Sequence, residues 1–191
     1  KMLWAIENDA NVNVQGKDGN SALMLAVQKG DVSVIATLLT HDDIKVDAKN
    51  KDGRTALMYA AREGNAAVVS ALLEGRADVD AKNNSGKLAF MTALIFAAQK
   101  GHADVVCALL DAGANPNAKN FFGLTALMFA AKNGDADIVC ALLEAGAVAN
   151  AENNIGQTAL MEAAKKGDAD IVCALLQAGA DANALDQRGN T

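Results

Sequence analysis

The chain has 191 residues, of which 51% are hydrophobic and only 4% are aromatic, and its net charge is -6 at pH 7. The negative charge excludes a general affinity for nucleic acid, because that affinity needs a basic face that displaces counterions from phosphates. No apolar run approaches the roughly 20 residues that a membrane-spanning helix needs, so a membrane is not an expected partner either.

One segment recurs along the chain at a nearly fixed interval. TALMFAAKNGDADIVCALLEAG begins at Thr125, and TALMEAAKKGDADIVCALLQAG begins 33 residues later at Thr158. Variants of the same segment begin at Ser21, Thr55 and Thr92. A period of this size indicates a stack of small supersecondary units rather than a globular domain around one active cleft.

The repeats predict a single domain of consecutive units. Residues 1-17 form the tail of a partial unit, complete units span about 18-51, 52-84, 85-121, 122-154 and 155-187, and residues 188-191 open a truncated unit. The third unit is longer because Leu88-Ala89-Phe90-Met91 is inserted before Thr92. Four residues are about one helical turn, so the insertion either lengthens the following helix or bulges from the preceding hairpin.

Each unit predicts two short helices followed by an extended stretch. In the fourth unit, Thr125 can cap the first helix and Gly134 can end it. Asp135 then stands at the cap of a second helix, as Asp31, Asn65 and Asp168 do in other units, and Gly146 ends that helix. The extended stretch contains a glycine turn and leads to the next Thr. The predicted fold class is an all-α repeat solenoid of helix-turn-helix units with projecting β-hairpin loops.

Arg76 breaks this pattern in the second unit. It stands where Gly113 and Gly146 end the second helices of later units. A non-glycine residue with a positive φ costs about 1 kcal/mol, so we expect this helix end to be the least regular.

The motif G-x-T-A-L-M-x-A-A-x-x-G-D-A-D-I-V-x-A-L-L-x-x-G-A-D-x-N-A at Gly156 to Ala184 carries a family resemblance. With its near-copies in the other units, it makes the chain similar to the ankyrin repeat family over essentially its whole length. The resemblance implies stacked L-shaped units that bind other proteins through the hairpin tips and the concave first helices.

We find no arrangement of catalytic, cofactor-binding or metal-ligating residues, so we expect no enzyme activity, no cofactor and no metal. His41 in a loop and His102 at a helix cap are interpreted as structural. Cys107, Cys140 and Cys173 occupy one position in three successive units, about 8–10 Å apart, which is too far for a disulfide or a shared zinc ion. Reduced thiols favour a cytoplasmic location, and delivery into another cell as an effector stays open.

The positions that vary between units are the expected site of partner binding. Every Phe and the only Tyr fall at these positions or in the insertion, so we expect no ring to be needed in the regular core. Clustered aromatic side chains carry much of the binding energy at protein interfaces. The predicted partner-binding residues are Lys49, Tyr59, Arg62, Lys82, Phe90, Phe96, Lys119, Phe121, Phe122, Leu124, Phe129 and Lys132.

Two features of this surface leave alternatives open. The inserted segment either joins Phe96 in a binding patch or folds down over Phe121 and Phe122 as a satellite core. Basic residues concentrate in the hairpins and first helices, whereas acidic residues concentrate in the second helices. That separation either serves solubility and helix capping or marks a groove for an acidic peptide with apolar anchors.

The sequence therefore predicts a protein-protein interaction scaffold whose partner is another protein, with its oligomeric state undetermined. The alternative is a targeting or substrate-recruiting module of a larger multidomain enzyme or secreted effector, which the incomplete units at both ends favour.

Overall fold

The structure is a computed structural model that describes residues 11–84 and 91–190. Ten helices lie within these ranges, and they form five consecutive pairs with two residues between the members of a pair. In chain order they are α1 (Ala22–Lys29), α2 (Val32–Leu39), α3 (Ala56–Glu63), α4 (Ala66–Glu74), α5 (Ala93–Lys100), α6 (Ala103–Asp111), α7 (Ala126–Asn133), α8 (Ala136–Glu144), α9 (Ala159–Lys166) and α10 (Ala169–Gln177). The predicted all-α repeat solenoid is confirmed.

The loops that precede the odd-numbered helices are not regular β-hairpins. Within the described ranges, the one antiparallel pairing outside the helices is an isolated bridge between Gln15 and Ser21. We call these five loops fingers 1 to 5 and the equivalent loop after α10 finger 6; the odd-numbered helices are the first helices, and the even-numbered helices are the second helices. Fingers 1, 2, 4, 5 and 6 are residues 16–20, 50–54, 120–124, 153–157 and 186–190, and finger 3 runs from Asn83 to Met91.

The first helices begin and end at the predicted residues. Thr125 Oγ1 accepts a hydrogen bond from Met128 N at 3.3 Å, and Gly134 ends α7 with a φ of 86°. Ser21, Thr55, Thr92 and Thr158 cap the other first helices in the same way. Because each helix has only eight residues, these caps satisfy a large share of the backbone groups that the helix leaves free.

The second helices follow the predicted capping only in part. Asn65 accepts a hydrogen bond from Val68 N at 3.1 Å, and Asp31 and Asp168 cap their helices likewise. The cap predicted for Asp135 is wrong, because its side chain makes no bond to α8. Its Oδ2 instead accepts from Asn133 Nδ2 at 3.1 Å, in the turn between α7 and α8.

Packing between neighbouring pairs builds one continuous core. Each first helix packs against the next first helix, and the second helices form a second row against the first. Ala60, Ala97 and Ala130 of the first helices are at most 1% exposed and belong to this core, together with the equally buried Leu57 and Leu94. None of the helices in residues 11–84 and 91–190 combines the length and the apolar character that crossing a bilayer requires.

Side-chain hydrogen bonds also join successive loops beyond the second helices. Asn117 Oδ1 accepts from Val148 N at 2.8 Å, and Asn117 Nδ2 donates to Gly146 O at 3.1 Å. Asn13 and Asn150 make the same two bonds to the loop of the following unit. Each Asn therefore satisfies one donor and one acceptor of the neighbouring backbone, which fixes the register of the stack.

We call these Asn bonds between successive loops the ladder. At two positions, one of the two bonds is missing. Asp47 accepts from Asp78 N at 2.8 Å and Asp80 accepts from Asn115 N at 3.0 Å, in the positions that Asn holds elsewhere. A carboxylate cannot donate a hydrogen bond. Asp47 and Asp80 therefore lack the second bond of Asn117, the one to the carbonyl oxygen two residues before the bound amide.

We predict that Asp47→Asn and Asp80→Asn each raise the free energy of unfolding by about 0.5 kcal/mol, because the amide adds the missing donor. Urea unfolding of each variant measures the gain. The reciprocal Asn117→Asp change should lose a similar amount. Equal stability of the Asn and Asp forms at all three positions would contradict this account of the ladder.

Arg76 is the one non-glycine residue with a positive φ, 62°, among the described residues. α8 is followed by Ala145 and then by Gly146 at a φ of 86°, whereas α4 is followed by Gly75 and then by Arg76. The expected irregularity at this helix end is nevertheless wrong: Gly75, Arg76 and Ala77 donate to α4 the same three backbone bonds that Ala145, Gly146 and Ala147 donate to α8, so Arg76 adopts the regular left-handed geometry with a side chain in place of glycine.

Replacing Arg76 by Gly should stabilise the chain by about 1 kcal/mol, because glycine adopts this conformation without steric cost. Thermal unfolding monitored by circular dichroism measures the change. Arg76→Ala is the matched control: it removes the same charge and keeps the strained backbone, so its stability should stay below that of Arg76→Gly. Identical melting of the two variants would show that backbone strain is not the cause.

Candidate functional site

One asparagine folds each of fingers 2, 4 and 5 and thereby positions the residue in front of the first helix. In finger 2, Asn50 Oδ1 accepts from Asp52 N at 3.0 Å and from Arg54 N at 2.9 Å. Asn120 and Asn153 make the same two bonds in fingers 4 and 5. Because these turns are alike, Arg54, Leu124 and Gln157 occupy equivalent places beside the first helices.

Finger 3 contains the four extra residues. Asn83 N donates to Met91 O at 3.1 Å and Met91 N donates to Asn83 Oδ1 at 2.9 Å, so these bonds span eight positions instead of four. α5 has the same eight residues as the other first helices. The insertion therefore belongs to the finger and does not lengthen the helix.

Met91, the last residue of the insertion, is 1% exposed. It lies in a buried cluster with Met58, Ile95 and Phe96, against which Phe129 packs. Phe121 and Phe122 are not part of that cluster and remain exposed. The predicted site residue Phe90 lies outside the described residues, as do Leu88 and Ala89.

The fourth residue of each first helix varies between units. These residues form a row, and their side chains differ in how much of their surface is exposed. Leu25 is 43% exposed, Tyr59 is 6% exposed and Phe96 is 3% exposed, while Phe129 and Glu162 are half-buried. The expectation that no ring is needed in the core is therefore wrong for Tyr59 and Phe96. Both lie inside the stack, and of the predicted rings on the first helices only Phe129 reaches the surface.

Arginine side chains cover the two buried rings. The Arg54 guanidinium carbon lies 5.8 Å from the centroid of Tyr59 and 5.9 Å from that of Phe96. Arg62 lies 5.5 Å from the Tyr59 centroid on the same helix. Asn50 Nδ2 donates to the Tyr59 hydroxyl oxygen at 2.9 Å. Tyr59 is thus held by a hydrogen bond at its tip and by two cations at its ring.

An open groove lies between fingers 4 and 5 and the helices α7 and α9. Its volume is about 280 Å³. Phe122 and Ile155 form its finger side, at 44% and 48% exposed, and Leu124 and Phe129 form its helix side. Phe121, 54% exposed, adjoins the groove, because its ring meets the ring of Phe122 edge-on at 5.4 Å. The predicted residues Phe121, Phe122, Leu124 and Phe129 therefore form one apolar patch.

Ile155 is a groove residue that is absent from the predicted set. It occupies the place in finger 5 that Asp52 holds in finger 2 and Phe122 holds in finger 4. The signal for Ile155 was an apolar residue at a loop position that is charged in other units. It was missed because the prediction selected aromatic residues.

The predicted basic residues differ in what they contact. Lys49 Nζ donates to Lys82 O at 3.0 Å and Lys119 Nζ donates to Glu152 O at 2.8 Å, so both ammonium groups bind the next unit. Lys82 is exposed, and Lys132 is exposed at the rim of the groove.

Two ion pairs lie on the first helices of the described chain. Arg62 pairs with Glu63 at 2.7 Å, and Lys165 pairs with Glu162 at 3.5 Å. Since Glu162 is neutralised by Lys165, Lys132 is the unpaired charge on the rim of the groove within the described ranges.

The remaining acidic residues, histidines and cysteines of the described ranges lie apart from one another or in simple turns. In residues 11–84 and 91–190, no three His, Cys, Asp or Glu side chains lie together as a metal site would require. Cys107, Cys140 and Cys173 are unpaired, as predicted, and exposed. In finger 6, hydrogen bonds from the backbone and side chain of Asn190, with a further bond from Arg188 N, hold the pKa of Asp186 below its ordinary value of 3.8.

Comparison with known families agrees with this architecture. The family model described as ankyrin repeats, in three copies, matches residues 1–83 and 94–186 of the chain. The unmatched residues between these ranges include the insertion in finger 3. No curated protein matches the chain.

The lowered pKa of Asp186 predicts that the turn of finger 6 is stable above pH 3.8 and opens as the pH falls through the lower folded-state value. The sign follows because protonation removes the acceptor charge that the folded turn stabilises. NMR shifts of the Arg188 and Asn190 amides against pH measure the transition. Asp186→Asn, which restores the residue found in fingers 2, 4 and 5, should keep the turn and abolish the transition. An unchanged transition in this variant would rule out Asp186 as its source.

Proposed function

The chain belongs to the ankyrin repeat family, whose repeats are generally protein-protein interaction modules, and from this premise we propose that it binds a segment of a partner protein in the groove between fingers 4 and 5. The proposed role is binding rather than catalysis. The exposed, unpaired thiols support a reducing cytoplasmic compartment as the place where it acts.

The observation that carries this proposal is the exposed apolar patch at the groove. Phe121, Phe122 and Ile155 each expose more than two fifths of their surface, although smaller residues fill much of the repeat core. Exposed apolar side chains that adjoin a groove are typical of interaction sites. Covering one such side chain contributes about 1.5–3 kcal/mol, so three of them with Phe129 provide a substantial part of a micromolar affinity.

The charges around the groove favour an acidic partner segment. Each first helix has a basic residue in its last turn, and these residues are Lys29, Arg62, Lys100, Lys132, Lys165 and Lys166. The second helices instead carry Asp104, Asp137 and Asp170 in their first turns. The side of the chain that contains the groove is therefore cationic despite the net charge of -6. The proposed ligand is an acidic peptide segment with at least one bulky apolar side chain.

Selection from a displayed library of random 12-residue peptides tests this proposal. The wild-type chain should enrich peptides with a bulky apolar residue. Phe122→Ala combined with Ile155→Ala should weaken binding of a selected peptide by about tenfold or more, because both side chains line the groove. Neither side chain is buried, so the melting temperature should change little.

Val14→Ala combined with Leu185→Ala is the matched control, since these side chains are 64% and 59% exposed and do not line the groove. This variant should bind the selected peptide within about twofold of wild type. Selection of no peptide above background, or equal binding to the groove variant and the wild type, would refute the proposed function.

A further inference from the structure

Arg54 is a half-buried cation at the end of finger 2. Its guanidinium forms no ion pair within the described residues, where the pairs are Arg62 with Glu63 and Lys165 with Glu162. Its Nε is buried and has no hydrogen-bond partner. Because Nε is covered while the side chain as a whole is only half-buried, a bound partner meets Arg54 at its terminal nitrogens rather than at Nε.

A second guanidinium and a hydroxyl lie at the same place. Arg62 approaches the Tyr59 ring to 5.5 Å, and its partner Glu63 is half exposed, so solvent screens that ion pair. The Tyr59 oxygen accepts its hydrogen bond from Asn50, which leaves the hydroxyl proton free to be donated. The donors around this ring therefore outnumber the acceptors.

The surface beside finger 2 differs from the equivalent surface beside finger 4. Beside finger 2, the Arg54 side chain extends over Tyr59 and Phe96. Beside finger 4, the equivalent residue Leu124 leaves an open groove, which Phe122 and Ile155 line. The surface beside finger 2 therefore presents a cation on aromatic rings, and the surface beside finger 4 presents an apolar cavity.

We infer that Arg54, Tyr59 and Arg62 form an arginine subsite that binds a carboxylate of the partner segment, while the groove binds its apolar side chain. The inference rests on the proposed function and adds a second point of recognition to it. A carboxylate fits the planar fork of a guanidinium, and stacking on a ring holds that fork in place.

The spacing of the helices sets the distance between the two recognised side chains. Tyr59 lies on α3 and Phe129 lies on α7, two steps apart in the row of first helices. At about 8–10 Å per step, the separation is roughly 16–20 Å. An extended peptide advances about 3.3 Å per residue, so the acidic and apolar residues should stand about five or six positions apart.

The peptides selected by the wild-type chain provide the first test. They should carry Asp or Glu about five or six positions from the bulky apolar residue. One selected peptide is then made in two forms, with its Glu retained or replaced by Gln. Both forms are titrated against the whole chain and against Arg54→Met combined with Arg62→Met.

The double arginine variant should bind the Glu peptide about tenfold more weakly than wild type does, and the Gln peptide within about twofold. Lys45→Met combined with Arg76→Met is the control, because it removes two cations that lie together at a different surface. It should leave binding of the Glu peptide unchanged. Thermal unfolding verifies that each variant is folded, and Arg62→Met alone replaces the double variant if that one is not.

The two proposals fail in different ways. The arginine subsite would be overturned if the double arginine variant weakened binding of the Glu and Gln peptides equally. The proposed groove would still be supported if the Phe122 and Ile155 variant lost binding in the same experiment. Peptides selected without an acidic residue at that spacing would overturn the arginine subsite as well. Binding that is insensitive to the groove variant would refute the proposed function itself.

Discussion

The close approach of successive first helices is the constraint on which the structure depends. Ala60, Ala97 and Ala130 lie on these helices, and all are at most 1% exposed. Helices of eight residues have little stability alone, so packing against the next unit must supply it. The hydrogen bonds of Asn117 and its equivalents then fix the register between units. Leu57, Leu94 and Leu127 are buried on the same helices, so the core of the stack combines small and large apolar side chains.

This constraint explains why the surface beside the fingers carries the differences between units. The turns of fingers 2, 4 and 5 are alike, because Asn50 and its equivalents bind the same two amides in each. What varies is the residue that each turn holds over the helices: Arg54 covers rings, whereas Leu124 lines a cavity. A regular frame therefore supports a surface with a cationic end and an apolar end, which suits recognition of a mixed sequence.

The sequence predicted most of the frame, because caps and core positions are local and recur by period. Thr125 and Gly134 bound α7 as their residue types predict. The burial of Tyr59 and Phe96 was not predictable, since Arg54 of one unit covers rings of two units. The cap at Asp135 failed because its carboxylate binds Asn133, whose amide also donates to Ala98 O and Gln99 O of the preceding unit. Contacts between side chains of different segments do not follow from a repeat pattern.

The most direct test of the account is to map which atoms a bound peptide touches. Methyl NMR spectra of the chain, recorded with and without a peptide from the library selection, report on Ile155, Leu124 and Met128 in the groove and on Val172 and Leu176 of α10 outside it. The account predicts that the first three methyl signals shift on binding and that the other two do not. Shifts confined to the second helices, with the groove signals unchanged, would contradict it.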